Sequence, residues 1–251
     1  MSGHSKWKTN KGKKALADAK KGAAYTKLIK EITVAAREGG GNPDTNIRLR
    51  TAMTRAKEGN MPSDNVKMAV KRGTGEIPGI VYETVMYEAY GQAGVAIFVE
   101  ALTDNKNRTT AELRNIMSKK GGNMAGAGSV SYMFTKKGYI LIEKSQAQEE
   151  DLMNIVLDAG AEDFKSDDKN YEITTSPQDL EKVKAAIQAK GITWQDAEIT
   201  MIPSTTIKVT GGDAKQVLGL VEALEEHDDV QQVYANFDIP DEIMEQMASE
   251  D

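Results

Sequence analysis

Cysteine is absent from this chain, and histidine, tryptophan and phenylalanine are scarce, with two, two and four copies among 251 residues. The lack of cysteine excludes disulfides, thiolate catalysis and cysteine-ligated zinc, and it fits a reducing compartment such as the cytoplasm. The two histidines, His4 and His227, are far apart in the sequence and leave little from which to build a nucleophile and its base. We therefore predict that the protein is not an enzyme and has no catalytic residue, no cofactor and no metal.

Long apolar runs are also absent. No segment approaches the roughly 20 apolar residues that span a bilayer, and the basic N-terminus is not followed by the apolar stretch of a secretory signal. A chain of 251 residues is long enough for two or three domains. We expect a cytoplasmic protein of several domains that has no membrane partner and no evident small-molecule substrate.

The most informative feature present is charge that is sorted by position. Residues 1–75 contain 17 Lys and Arg against 6 Asp and Glu, whereas residues 76–251 contain 15 against 32. The net charge of −6 therefore conceals a strongly basic N-terminal segment. Such an asymmetry is typical of chains that bind polyanions, because clustered cations attract phosphate groups and release their counterions.

The basic segment is predicted to form a bundle of four helices over residues 1–75. A weak alanine-rich helix is separated by Gly22 from a second helix over 24–38, whose apolar residues follow a 3.6-residue period. The triplet Asn-Pro-Asp at 42–44 has the residue types that open a helix. A fourth helix opens with Pro-Ser-Asp at 62–64 and ends at Gly73.

We predict that the cations of this bundle, together with Trp7, contact nucleic acid. The only other aromatic residue of the segment is Tyr25, so phosphate contacts should dominate over base stacking. The alternative is that the charges only keep the helices soluble. The third and fourth helices also fit a helix-turn-helix, with Asn65, Lys67 and Lys71 facing the groove, a pattern that any two short helices share. The predicted contacts are Lys6, Trp7, Lys8, Lys11, Lys13, Lys14, Lys20, Lys21, Lys27, Lys30, Arg37, Arg48, Arg50, Arg55, Lys67, Lys71 and Arg72.

Residues beyond a linker at 73–84 are predicted to form a middle α+β domain. Strands are expected near 84–90 and 94–102, and the second of these is apolar except for Glu100, as in a central strand. Thr109 and Glu112 form a capping box that opens a helix, and another strand follows near 129–134. A strand at 205–209, a helix at 213–227 and a strand at 230–237 remain to complete the sheet begun at 84–102.

Between these parts, the pattern from residue 137 is β-α-β-β-α-β, which is the ferredoxin-like arrangement. The fold class is therefore a multidomain α and β protein with a helical bundle and two α+β domains, one inserted in the other. The predicted divisions are a bundle at 1–75, a discontinuous middle domain at 80–134 and 204–239, an inserted domain at 135–203 and an acidic tail at 240–251.

Two loops contain residues that could bind a ligand. The glycine-rich loop Gly121–Ser129 could cradle phosphate through backbone amides, but it lacks the Lys of a P-loop and precedes a strand, which favours a flexible loop that needs positive φ. The loop could still be a contact surface on a large RNA. The segment Asp104–Arg108 lies between a strand and a helix, and it is either a ligand site or a turn held by side-chain bonds to the backbone. The acidic pairs Asp228-Asp229 and Asp167-Asp168 are either metal ligands or solvated loops, and the solvated loop is favoured.

Several long runs resemble the YebC family. They are Gly3-His4-Ser5-Lys6-Trp7, Tyr25-Thr26-Lys27-Leu28, Asn60-Met61-Pro62, the run from Val99 to Thr109, Gly121-Gly122-Asn123, and the run from Gly128 to Phe134. The match extends along nearly the whole chain. The family often has Tyr-Glu-Gly-Tyr-Gly-Pro-Gly-Gly where residues 87–94 of this chain differ at three positions, a change that falls in a turn.

The resemblance implies three domains and the family label of probable DNA-binding transcriptional regulator. Mitochondrial relatives are named translational activators of a cytochrome oxidase subunit, and some bacterial relatives are viewed as ribosome-associated factors that relieve stalling at proline runs. We therefore predict a DNA-binding transcriptional regulator. The alternative is a translation factor that binds ribosomal RNA, and a third, weaker hypothesis is a module that docks an acidic protein. Proteins of the ribosome or of the transcription machinery are further expected partners.

Overall fold

The structure is a computed structural model and describes residues 18–240 and residue 243, with side chains from residue 22 onward. These residues form two compact units. The smaller unit comprises residues 132–206, and the larger comprises residues 18–131 together with the described residues from 207 onward. The predicted bundle and middle domain thus lie in one unit, and the division of the chain into three domains and a tail stays a prediction.

Within the described residues, the regular elements are seven α-helices and ten strands. The helices are α1 (Asp18–Gly39), α2 (Ile47–Glu58), α3 (Ser63–Thr74), α4 (Lys106–Lys119), α5 (Glu149–Asp158), α6 (Leu180–Ala189) and α7 (Gly211–Glu225). The strands are β1 (Glu83–Tyr90), β2 (Ala96–Thr103), β3 (Asn123–Ala125), β4 (Phe134–Glu143), β5 (Ala161–Ser166), β6 (Asn170–Thr175), β7 (Asp196–Pro203), β8 (Ile207–Lys208), β9 (Val230–Ala235) and β10 (Phe237–Asp238). No helix of this part of the chain is long and apolar enough to cross a membrane.

Helix α1 passes through Gly22 without a break, so the prediction that Gly22 separates two helices is wrong. A glycine inside a helix costs only about 1 kcal/mol, which the packing of a long helix outweighs. The predicted helix start at 42–44 is also wrong, because α2 begins at Ile47. Asn46 caps α2 by accepting from the Leu49 N–H at 3.0 Å, while its amide donates to the carbonyl oxygen of Ala35 at 2.7 Å. One side chain therefore joins the end of α1 to the start of α2.

Helix α1 forms the centre of the bundle. Its predicted apolar stripe contributes Ile32 and Ala36 to a core shared with α2 and α3. Gly73 does not end α3, which continues to Thr74. A Cβ at Gly73 would lie 2.4 Å from the Thr33 carbonyl oxygen, so glycine is required there because α3 lies directly against α1.

The larger unit also contains a four-stranded antiparallel sheet with the order β3-β1-β2-β9. The pairing of β9 with β2 confirms the prediction that a strand near 230–237 completes the sheet begun at 84–102. The predicted strand at 205–209 does not join this sheet, because β8 pairs in parallel with β10 in a separate ladder. Helix α7 packs against α4 and β9.

Two other local predictions are wrong. Residues 131–133 form a 3-10 turn instead of a strand near 129–134, and β4 begins at Phe134. Helix α4 begins at Lys106 with Asn105 as its cap, three residues before the predicted capping box. Thr109 is instead buried, and its hydroxyl forms hydrogen bonds with the side chains of Thr103 and Asp229.

The smaller unit has the element order β-α-β-β-α-β, which is that of the ferredoxin-like split βαβ motif. Its antiparallel sheet has the order β5-β6-β4-β7. Helices α5 and α6 bury their apolar residues, among them Leu152, Val183 and Ile187, against Ile140 and Ile173 of the sheet.

Candidate nucleic-acid interface

Two of the predicted contacts on α1 bind the rest of the larger unit. Lys30 is buried, and its Nζ lies 2.5 Å from Oδ1 of Asp229 and 3.0 Å from the carbonyl oxygen of Asp228. One turn earlier, Lys27 donates to the carbonyl oxygen of Glu225 at 2.5 Å. Lys27 and Lys30 are thus internal donors that attach α1 to the end of α7 and to the segment that follows it, whereas the sequence predicts that both face solvent.

Arg48 and Arg37 also have partners within the protein. The Arg48 Nε lies 2.7 Å from Glu31, and its Nη1 lies 2.6 Å from Glu38. The hydrogen bond to Glu31 is the main cause that raises the pKa of this guanidinium above its ordinary value. Arg37 is exposed, and its guanidinium donates to the carbonyl oxygens of Ile80 and Tyr82 at 3.4 and 3.5 Å. These two residues join α1 to α2 and to the segment after α3.

The remaining described contacts lie exposed on α2 and α3. They are Arg50, Arg55, Lys67, Lys71 and Arg72. Lys57, which the prediction omits, is exposed on α2 as well. Lys67 lies 3.6 Å from Asp64, but both side chains are largely in solvent, where such a pair contributes little. These cations form what we call the bundle surface: Arg50, Arg55, Lys57, Lys67, Lys71 and Arg72.

The turn between α2 and α3 is held against α1. The Tyr25 hydroxyl donates to the carbonyl oxygens of Gly59 and Asn60, at 3.0 and 2.9 Å. Asn60 has a positive φ of 57°, and Met61 after it is buried. Tyr25 is thus a structural residue, as its place on the apolar stripe indicates. The predicted groove-facing residues of α3, among them Asn65, remain exposed.

Eight predicted contacts are not placed by the structure. Lys6, Trp7, Lys8, Lys11, Lys13 and Lys14 lie outside the described residues, and the side chains of Lys20 and Lys21 on α1 are not described. Their contact with nucleic acid stays a prediction.

A cleft of about 720 Å³ in the larger unit is lined by residues of α1, α4 and the segment after α7. Asp229 in this cleft is only 3% exposed, so the prediction of a solvated loop is wrong for it. Its carboxylate accepts from Lys30, from the Thr109 hydroxyl at 2.6 Å and from Arg108 at 2.9 Å. Burial by itself raises the pKa of Asp229, but these donors, Lys30 first, lower it well below its ordinary value.

Three potential metal ligands meet in this cleft, because Glu112, His227 and Asp229 each offer one atom within 4.8 Å of the others. The hydrogen bonds oppose metal binding. The Asp229 N–H donates to Nδ1 of His227 at 3.1 Å, so Nε2 carries the proton and donates to Glu112 at 3.0 Å. A metal on Nε2 would force that proton onto the nitrogen that already faces an N–H. Both oxygens of Asp229 also face cations, so these residues do not fit a metal.

The glycine-rich loop does have converging amides, but a carboxylate of the protein occupies them. Buried Glu88 on β1 accepts from the N–H groups of Gly128, Val130 and Ser131 at 2.7, 2.5 and 3.0 Å. Burial raises the pKa of Glu88, and the three amides more than compensate, so its pKa lies below its ordinary value. The loop is therefore fixed by Glu88, and these three N–H groups do not cradle an external phosphate.

The segment Asp104–Arg108 comprises a bend and the first turn of α4, and side-chain bonds to the backbone hold it, as one of its two interpretations predicts. The Thr103 hydroxyl accepts from the Asn105 N–H at 2.9 Å, and the Asn105 side chain accepts from the Arg108 N–H at 3.1 Å. The Arg108 guanidinium then joins Asp104 to Asp229, at 2.9 Å from each. The bonds of Thr103 and Asn105 hold the start of α4, whereas the Arg108–Asp229 pair joins α4 to the segment before β9.

The central role of Asp229 was not predicted from the sequence. A signal was present at Lys30, which is followed over residues 32–36 by an apolar and threonine run. A lysine beside such a run is a candidate for burial, and a buried lysine needs a carboxylate. The identity of that carboxylate could not be found from spacing, because Asp229 is 199 residues away.

Comparison with known proteins places the chain in a family. Residues 5–76 match the model of the TACO1/YebC protein N-terminal domain, and residues 82–237 match the model of the TACO1/YebC second and third domain. The chain therefore belongs to the TACO1/YebC family, as its resemblance to YebC proteins implied.

Two similar relatives are both named "Probable transcriptional regulatory protein". One, from Natranaerobius thermophilus, is 55% identical over 98% of this chain and 99% of the relative. Another, from Dictyoglomus turgidum, is 53% identical over 99% of this chain and 100% of the relative. A crystal structure of a conserved hypothetical protein from Aquifex aeolicus is 46% identical, covers 91% of this chain and 94% of its own, and has a TM-score of 0.78. The mixed α and β fold is thus shared with a solved structure.

Proposed function

We propose that the protein is a non-enzymatic, DNA-binding regulator of gene expression that binds the phosphate backbone through its bundle surface. The observation that supports the proposal is that some basic residues bond within the larger unit and others are exposed. Lys27, Lys30, Arg37 and Arg48 hold the larger unit together, and Lys30 is buried, whereas the cations of the bundle surface are all exposed. The names of the relatives support a regulatory role.

The mechanism is electrostatic. Cations on α2 and α3 neutralise phosphates and release their counterions, which favours binding at low salt. Tyr25 is committed to the turn between these helices, so it does not stack on bases. The described bundle therefore positions the protein on a backbone, and sequence reading would require contacts of α3 in a groove.

The test is the salt dependence of binding by the full chain to duplex DNA, followed by fluorescence anisotropy between 50 and 200 mM salt. Contacts with about six phosphates give a slope near −5 when the logarithm of the association constant is plotted against the logarithm of the salt concentration. A bundle variant with Arg50→Gln, Lys67→Gln and Lys71→Gln should make this slope shallower by about 2 to 3. A control variant with Lys182→Gln, Lys190→Gln and Lys208→Gln loses the same charge from exposed sites outside the bundle, and it should keep the slope.

Equal slopes for the bundle and control variants would contradict the proposal. A parallel titration with a structured RNA of matched phosphate number decides between the two nucleic acids. Tighter binding to RNA, with co-sedimentation on ribosomes that the bundle variant loses, would overturn the DNA assignment in favour of the ribosome-associated alternative.

A further inference from the structure

An acid-free segment interrupts the acidic part of the chain. No Asp or Glu lies between Glu112 and Glu143, although the chain has 38 of them. The part of this stretch within the larger unit, residues 113–131, is called here the acid-free segment, and it carries Arg114, Lys119 and Lys120. It extends through the second half of α4, strand β3 and the glycine-rich loop.

The three cations of this segment are exposed. The residues three and four positions before and after each of them include no acid, so no intrahelical ion pair weakens their field. Within the described residues, the guanidinium of Arg114 lies 3.9 Å from the sulfur of Met124 on β3. A thioether is a weak acceptor, so this contact places Arg114 next to β3 and does not neutralise its charge.

One of the two acids of β1, the strand that pairs with β3, is withdrawn from the surface. Glu88 is only 7% exposed, and its charge is stabilised by the amides of the glycine-rich loop. The same bonds fix the shape of the loop, whose exposed residues 126–128 are Gly-Ala-Gly and have no side chain larger than a methyl group. A bulky polymer can therefore approach the backbone of this loop closely.

We propose that the acid-free segment is a second contact surface for nucleic-acid phosphates, separate in sequence from the bundle surface. The proposal rests on the proposed function and extends it to a part of the chain whose overall charge is strongly negative. Arg114, Lys119 and Lys120 contact phosphate oxygens as charged donors. The loop that follows them in the sequence is held by Glu88, and its exposed residues 126–128 have no large side chain to hinder a phosphate backbone.

A competing role exists for two of these residues. Lys119 and Lys120 lie at the C-terminal end of α4, where cations stabilise the helix dipole. That role predicts a small loss of helix stability on substitution and no change in binding. The proposal instead predicts a change in the salt dependence of binding.

The experiment measures the same binding slopes for an α4 variant with Arg114→Gln, Lys119→Gln and Lys120→Gln. Each lost phosphate contact should make the slope on duplex DNA shallower by about 0.9, or about 2 to 3 in total. A charge-conserving variant with Arg114→Lys, Lys119→Arg and Lys120→Arg should keep the wild-type slope. The control variant Lys182→Gln, Lys190→Gln and Lys208→Gln accounts for the change in net charge. Circular dichroism checks that each variant is folded.

An α4 variant that is folded and binds with the slope of the control variant would overturn this inference. If the bundle variant is weakened in the same experiment, the proposed function survives that result. If the triple substitution unfolds the chain, the single variants Lys119→Gln and Lys120→Gln decide the question, because each should reduce the slope by about 0.9. Loss of slope in the charge-conserving variant would also contradict the proposal, since it would show that shape and not charge is required.

Discussion

Replacement of Asp229 by asparagine tests whether the buried ion pair holds α1 against the rest of the larger unit. The side chains of Lys30 and Asp229 are only 9% and 5% exposed. The substitution leaves the Lys30 ammonium buried without a counter-charge, which costs about 3 to 5 kcal/mol. Arg108 adds little to this cost, because its side chain is 43% exposed and water can replace its partner.

The assay is native-state hydrogen exchange of the full chain, resolved by peptide. A cost of about 3 to 5 kcal/mol corresponds to exchange that is faster by about two to three and a half orders of magnitude. This acceleration should be confined to amides whose protection depends on the larger unit, such as those of α1 and α4. Peptides from α5 and α6 in the smaller unit provide an internal control and should exchange as in the wild type.

The double variant Lys30→Met with Asp229→Asn makes the test decisive. Removing both charges from a buried pair is often close to neutral, so the double variant should be much more stable than Asp229→Asn alone. If Asp229→Asn costs less than about 1 kcal/mol, or if the two substitutions are simply additive, the ion pair does not fasten α1 and the reasoning is refuted.

Three further outcomes are expected. The folded-state pKa values of Asp229 and Glu88 are lowered, so the folded state binds fewer protons in acid than the unfolded state does. The stability that these carboxylates contribute should be complete above about pH 5 and should be lost as the pH falls below about 4. In acid titrations, the free energy of unfolding of Asp229→Asn should depend less on pH than that of the wild type. Gly73→Ala should destabilise the protein by about 1 to 3 kcal/mol in urea unfolding, because the added methyl group would clash with Thr33. Gly22→Ala should stabilise it by about 0.5 to 1 kcal/mol, because Gly22 is an exposed helical position with nothing within 4 Å of an added Cβ. Equal effects of the two substitutions would contradict the packing of α3 against α1. Glu88→Gln should accelerate amide exchange in the glycine-rich loop at least tenfold, since one carboxamide oxygen replaces a charged two-oxygen acceptor, and unchanged exchange would show that Glu88 does not fix the loop.

Much of the local structure was predictable because it depends on periodicity. The apolar stripe of α1, the continuous run of β2 and the alternation of strands and helices in residues 134–203 all follow from the spacing of apolar residues. The failures came where tertiary contacts overrule a local signal. Gly22 resembles a helix break and Gly73 a helix end, yet one lies within α1 and the other is the point at which α3 contacts α1.

The candidate interface shows the same limit more sharply. Sequence patterns treat Lys27, Lys30, Arg48 and Arg50 alike, because all are cations on amphipathic helices. The structure separates them: Lys30 pairs with Asp229, Arg48 pairs with Glu31, and Arg50 is exposed. A cation on a helix can bind an external partner only if it does not already pair with an acid of the same chain. Here those acids, Asp229 and Glu31, lie outside the local sequence pattern around the cation.

By itself, the sequence determined the sorting of charge along the chain, the helical or extended state of most segments and the family, since these depend on composition and on neighbours a few positions apart. The tertiary structure alone decided which cations remain in solvent, that the glycine-rich loop is filled by Glu88, and that Asp229 is buried at the junction of α1 and α4. Those outcomes depend on groups brought within about 3 Å of each other across long stretches of chain, where hydrogen bonds and ion pairs act. No local pattern records which groups will meet at that distance.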